Sequence, residues 1–113
     1  MTQTEYDLER SILSTILFSH HQFKDEEFFN NVELKEEYFQ HHFHKLIVKQ
    51  INHNKALVIP FQEEYICDTM AENGTLDHNQ WLNIMATNPF GKSLFEVYYN
   101  KLQHPKTSLH LGV

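Results

Sequence analysis

The segment EEYFQHHFHKLIVKQI constrains this chain most, because Phe39, Phe43, Leu46, Ile47 and Ile51 recur at i, i+4, i+7, i+8 and i+12. That spacing lines apolar side chains along one face of an α-helix and suits no strand. It predicts a helix over about 35–52. A second periodic stretch, with Leu8, Ile12, Leu13, Ile16 and Leu17, predicts a helix over about 5–18, entered through a capping-box-like Thr4 and Asp7 and wide enough on its apolar side to be central in a bundle.

Chain breakers are too scarce to interrupt such helices often. The 113 residues hold only three Gly and three Pro, against nine Phe and five Tyr. A short amphipathic turn of helix is expected around Asp25 to Asn31, with Phe28 and Phe29 on its apolar side. NHNKALVIP reads as an extended connection closed by Pro60, which suits the first position of a helix carrying Phe61, Tyr65, Ile66 and Met70. Asn73-Gly74 ends that helix. Asp77 with Gln80 starts another, bearing Trp81, Leu82 and Met85, which Asn88-Pro89 breaks. Ser93 with Glu96 opens the last, where Leu94, Phe95, Tyr98 and Leu102 are apolar or aromatic until His104-Pro105. The expectation is an all-α bundle of five to seven helices over 1–105 with a tail at 106–113. Its core would come from Leu8, Ile12, Leu13, Ile16, Phe39, Phe43, Leu46, Ile47, Tyr65, Ile66, Trp81 and Leu82.

Charge narrows the choice of partners. Nine Lys and Arg against fifteen Asp and Glu give a net charge of −6, and no basic cluster is present to neutralise phosphates, so direct nucleic-acid binding is not expected. Nine His residues make the surface charge pH-sensitive near pH 6. One cysteine, Cys67, excludes an internal disulfide and fits a reducing compartment. No apolar run reaches the roughly 18 residues of a membrane span.

No motif assembles an active site. Gly91-Lys92-Ser93 echoes a phosphate-binding loop, but position 86 is Ala where that loop needs Gly, so Gly91 reads as a loop residue and Ser93 as a helix cap. His41 and His44 lie at i, i+3 and could share a metal, yet zinc needs three or four protein ligands and no further spaced pair completes the set, so a surface or half-buried histidine cluster is expected. His20-His21 is a weaker candidate still. The runs Asp25-Glu26-Glu27, Glu36-Glu37 and Glu63-Glu64 fall near predicted helix starts, where the helix dipole accounts for them. Cys67 sits beside Ile66 as an inert thiol. No catalytic residue, cofactor or metal is therefore expected.

Three segments, in order, carry a family resemblance. LERSILSTILFSHHQF resembles the opening helix shared by the N-terminal domain of the bacterial replicative helicase (DnaB type) and the C-terminal helicase-binding domain of bacterial primase (DnaG type). EYFQHHFHKLIVKQI is similar to the second long helix of that fold, in which an aromatic residue precedes a His followed by a hydrophobic stripe. LFEVYYNKLQHP is similar to the helix that closes the bundle. Between the two families, the helicase domain would continue through a linker into an ATPase, whereas KTSLHLGV reads as a C-terminus, and the LQHP stretch after the closing helix resembles primase sequences, so primase is the expectation. The resemblance implies a non-catalytic domain that binds the helicase's N-terminal domain in the cytoplasm, coupling primer synthesis to the replication fork, and that is a monomer by itself. The alternatives are the helicase collar domain itself or a small metal-binding helical protein. Primase domains usually add a helical hairpin beyond the bundle. Only eight residues follow Pro105, so the hairpin is either built from the helices at about 77–103 or absent.

The aromatic surplus late in the chain points to the partner surface. Tyr98 and Leu102 are expected to share a face with Leu94 and Phe95, with Tyr99 rotated towards the next face. One face must pack on the bundle, and the other is left to anchor the partner. The expected contact set is Phe90, Phe95, Tyr98, Tyr99 and Leu102, with Leu109 and Leu111 of the tail nearby.

Overall fold

The structure is a computed structural model that describes residues 1–19 and 26–103. The expectations for His20-His21, Asp25, His104-Pro105 and the 106–113 tail with Leu109 and Leu111 lie outside the described residues. Among the described residues there are six α-helices and no strand: α1 (Gln3–Leu17), α2 (Glu26–Asn31), α3 (His42–Ala56), α4 (Glu63–Glu72), α5 (His78–Met85) and α6 (Lys92–Gln103), with a 3-10 turn at Glu36–Tyr38. The all-α bundle is the fold the periodicity predicts.

α1 is the hub and packs against α6, α5 and α3. Its cap is Thr2 rather than Thr4: the Thr2 hydroxyl accepts from the Glu5 amide at 3.1 Å. Ile12, Leu13, Ile16 and Leu17 are all buried. Polar side chains on the same helix are buried too, and each has a partner. The Ser14 hydroxyl donates to the Thr87 carbonyl at 2.6 Å, and the Thr15 hydroxyl accepts from the Phe90 amide at 2.7 Å. Arg10 reaches the Thr87 hydroxyl at 3.2 Å, and the Tyr6 hydroxyl donates to Gln80. These bonds fasten α5 and the 86–90 loop to α1. α5 and α6 are therefore part of the bundle and do not stand apart as a hairpin.

The predicted 35–52 helix is two pieces. Residues 39–41, just before α3, lie outside helical geometry, and there Glu9, from α1, takes the Gln40 and His41 amides on its carboxylate at 2.8 and 3.3 Å. His41 then caps α3 by accepting the Phe43 amide on Nδ1 at 3.2 Å. At its far end α3 runs past residue 52 to Ala56, absorbing part of the stretch expected to be extended. Pro60 does not begin the next helix. Its carbonyl accepts from the buried Asn54 side chain at 2.7 Å, and α4 starts at Glu63 after N-cap Gln62. α6 likewise starts one residue before Ser93, with Gly91 offering its carbonyl to the Phe95 amide.

Eight of the twelve expected core residues are buried, Ile12, Leu13, Ile16, Phe39, Phe43, Ile47, Ile66 and Trp81, and residues outside that set, among them Phe29, Val48, Met70, Ile84 and Phe95, join them. Tyr65 is 45% exposed and Leu82 is 63% exposed, because α4 buries Ile66 and Met70 and α5 buries Trp81 and Ile84, which turns their neighbours outward. Leu8 and Leu46 are half-buried against the core. An aromatic cluster that the sequence did not specify joins α2 to α6: the Phe29 and Phe95 rings meet edge-on at 5.2 Å, and Phe95 stacks on Tyr99 at 5.5 Å.

Two helices end in the same way with different residues. After α4, the Thr75 amide donates to the Met70 carbonyl at 2.9 Å and the Gly74 amide to the Ala71 carbonyl at 3.4 Å, with Gly74 at φ 77°. After α3, the Ile59 amide donates to the Asn54 carbonyl at 2.9 Å and the Val58 amide to the Lys55 carbonyl at 3.1 Å, with Val58 at φ 59°. Both are Schellman ends. The second puts a β-branched residue where the left-handed backbone costs an L-residue about 1–2 kcal/mol.

Candidate functional site

α6 carries the surface to which the sequence points, but its faces divide differently from expectation. Phe95, Tyr99 and Leu102, at i, i+4 and i+7, are all buried against the bundle. The Tyr99 hydroxyl donates to the Glu33 carbonyl, and burial pushes its pKa up to about 12. These three residues are withdrawn from direct contact with a partner by packing, which corrects the expected contact set. α6 packs on α1, and distant rings meet its buried face: Phe28 and Phe29 of α2 against Phe95, and Tyr38 of the 3-10 turn against Tyr99, partners that the α6 pattern alone could not reveal.

Tyr98 and Phe90 remain available. Both are half-buried, and their rings stack at 4.8 Å. Beside them Leu94 is 51% and Val97 53% exposed, and the Lys101 ammonium lies over the Tyr98 ring at 5.3 Å. Leu94, Val97, Tyr98 and Lys101 form one outward stripe at i, i+3, i+4 and i+7. Sequence reasoning passed over Val97, although its spacing from Leu94 was the available signal.

The Gly91-Lys92-Ser93 stretch supplies no phosphate cradle. Ser93 lies within the first turn of α6, and the Lys92 ammonium sits over the Phe28 ring at 4.8 Å. The histidines have structural duties. His44 is buried completely and its Nδ1 donates to Glu9 Oε1 at 2.8 Å, so it is not the surface or half-buried group expected. Its ring stacks on Tyr6 at 5.3 Å and lies 4.5 Å from that of His41. His41 has its pKa lowered from the usual 6.5, first by desolvation and then by the neighbouring His44. No group of three or more His, Cys, Asp or Glu side chains is placed to hold a metal among the described residues. Cys67 is half-buried, and desolvation raises its thiol pKa, which suits an unreactive sulfur.

A second exposed apolar feature lies at the α3–α4 connection. Leu57, Val58 and Ile59 all face solvent, beside an open cavity of about 360 Å³ bordered by Asn30, Lys55 and Phe61. Lys55 is tied down there, donating to the Phe29 and Val32 carbonyls at 3.1 and 2.8 Å.

Comparison with family models, curated proteins and solved structures returned no match for this chain. No described helix is long and apolar enough to cross a membrane.

Proposed function

We propose that this chain is a protein-interaction domain of the bacterial replication fork, of the primase C-terminal type. It binds the N-terminal domain of the replicative helicase and has no catalytic activity of its own. One observation carries the reading: the three segments that resemble the family lie in or overlap α1, α3 and α6, and α1 packs against both of the others. The exposed stripe of Leu94, Val97 and Tyr98 supports an interaction role, since clustered apolar side chains on a small domain mark contact surfaces. The acidic balance favours a protein partner over nucleic acid. A cytoplasmic setting goes with this reading.

A second reading has its own support. α5 and α6 lie on α1 and leave no separate docking hairpin among the described residues, which favours the helicase collar domain itself, a module that works by self-association. One experiment separates the two. Purified chain is run in sedimentation velocity alone and with the replicative helicase of the same source. Co-sedimentation of a monomeric chain with helicase supports the primase-type reading, self-association without helicase binding supports the collar, and neither result removes both.

A further inference from the structure

The cavity between the end of α3 and the start of α4 borders a cation that has no acidic partner among the described residues. Lys55 is half-buried, and of the three N–H groups of its ammonium two are used, on the Phe29 and Val32 carbonyls at 3.1 and 2.8 Å. No described carboxylate forms an ion pair with it. Burial alone pushes its pKa below the usual 10.5, with no acidic neighbour acting the other way. Lysine is seldom taken out of water without a counter-charge. The Phe61 ring centroid lies 5.9 Å from the same nitrogen, so charge and apolar surface meet at one site. We infer that this cavity binds a small monocarboxylic acid, whose carboxylate pairs with Lys55 and whose short apolar chain lies against Ile59, Pro60 and Phe61.

Size, charge and polarity set the ligand class. At about 360 Å³ the cavity is near the lower end of small-molecule pockets, which run from about 300 to 1,000 Å³, so the apolar chain must be short. Lys55 is the one charged side chain among the described lining residues, which matches one negative charge and leaves the second charge of a phosphate uncompensated. The Ser19 hydroxyl donates to the Ile16 carbonyl at 2.8 Å and has no further proton to give, whereas the exposed Asn30 amide can donate to the second carboxylate oxygen. The walls are set before binding. The Val58 and Ile59 amides are held by the Lys55 and Asn54 carbonyls, and the Asn54 side chain holds the Pro60 carbonyl at 2.7 Å. The left-handed Val58 thereby turns the chain so that Ile59, Pro60 and Phe61 border the same cavity as Lys55. A preformed site loses little conformational freedom when it is filled, which favours affinity. The site goes beyond the helicase reading and does not depend on it.

The test titrates the isotope-labelled full chain with hexanoate, with hexanol and with inorganic phosphate at about pH 7, where the acid is ionised, and follows backbone amide shifts by NMR. The expected result is saturable hexanoate shifts centred on residues 55–62, hexanol binding weaker by about tenfold or more, and no saturation by phosphate. Lys55→Met should abolish the hexanoate response. Because that change also gives up two carbonyl bonds, Ile59→Asp is measured beside it, at a residue that is 45% exposed. It should keep the rest of the spectrum and weaken hexanoate by about tenfold or more through like-charge repulsion. Leu82→Asp adds the same charge at a position on α5 that is 63% exposed and should bind like the wild type. Absence of saturable shifts, shifts centred away from residues 55–62, hexanol or phosphate binding as tightly as hexanoate, or an Ile59→Asp chain that binds like the wild type overturns the assignment.

Discussion

Glu9 and His44, 35 positions apart in the chain, meet at 2.8 Å through Oε1 and Nδ1 with both side chains buried. The same carboxylate accepts the Gln40 and His41 amides, so one acidic residue on α1 fixes both the entry and the first turn of α3. A negative group at a helix N-terminus is favourable, and this one is shielded from solvent.

Removing the Glu9 carboxylate leaves the buried His44 Nδ1 and two amides without their acceptor, each unsatisfied group costing about 1–3 kcal/mol. Glu9→Ala is therefore expected to lower stability by that order in urea denaturation. Glu9→Gln, which keeps an acceptor for the two amides, is expected to be milder. Equal losses in the two variants would show that charge, not the amide contacts, dominates.

His41 gives the fold an acid sensitivity. Its pKa lies below 6.5 in the folded chain, chiefly through desolvation, with Glu9 and Asp77 acting in the opposite direction. The unfolded state then binds more protons than the folded state, so stability is full above about pH 6.5 and falls as pH drops through the folded value. Protonation of Nδ1 also abolishes its acceptance of the Phe43 amide, a cap worth about 1 kcal/mol. Melting should occur at lower temperature at pH 5.5 than at 7.5, and His41→Asn, which caps without titrating there, should flatten the difference.

Tyr99 acts at the other end of the scale. A pKa raised from 10.0 to about 12 means that the folded state holds the proton longer. Stability is complete below about pH 10 and declines as pH rises towards 12. Tyr99→Phe should remove this alkaline decline while costing about 1 kcal/mol at neutral pH for the lost bond to the Glu33 carbonyl.

On α6, burial and binding can be separated. Tyr99→Ala should destabilise the fold by about 3–5 kcal/mol, as for other buried aromatics. Val97→Asp, on the outward stripe, should change stability by less than about 0.5 kcal/mol while weakening the helicase binding proposed above. A Val97 variant that binds like the wild type would remove this stripe from the interface.

The two Schellman ends form an internal control. Val58→Gly should stabilise the fold by about 0.5–1 kcal/mol, the relief of left-handed strain less the entropy cost of glycine. Gly74→Ala should destabilise it by about 1 kcal/mol. A Cβ at residue 74 would meet nothing within 4 Å, so that change reports backbone strain alone.

The sequence by itself determined the helices and the part of the core that lies on their periodic faces. Ile12, Leu13, Ile16, Phe43, Ile47 and Ile66 are buried because a 3.6-residue period is local information that survives any arrangement of neighbours. Local punctuation was legible as well. Asp77 caps α5, and Asn73-Gly74 ends α4. Tertiary structure decided what depends on distant partners. The break before α3 is where Glu9 claims two amides. Phe95 faces inward where α2 brings Phe28 and Phe29 to it, and Tyr99 where the 3-10 turn brings Tyr38. Val58 stands exposed in a left-handed turn because Asn54 and Lys55, anchored to Pro60 and to the end of α2, hold the helix end closed. Periodicity tells which residues share a face, but only the other helices determine which face is covered.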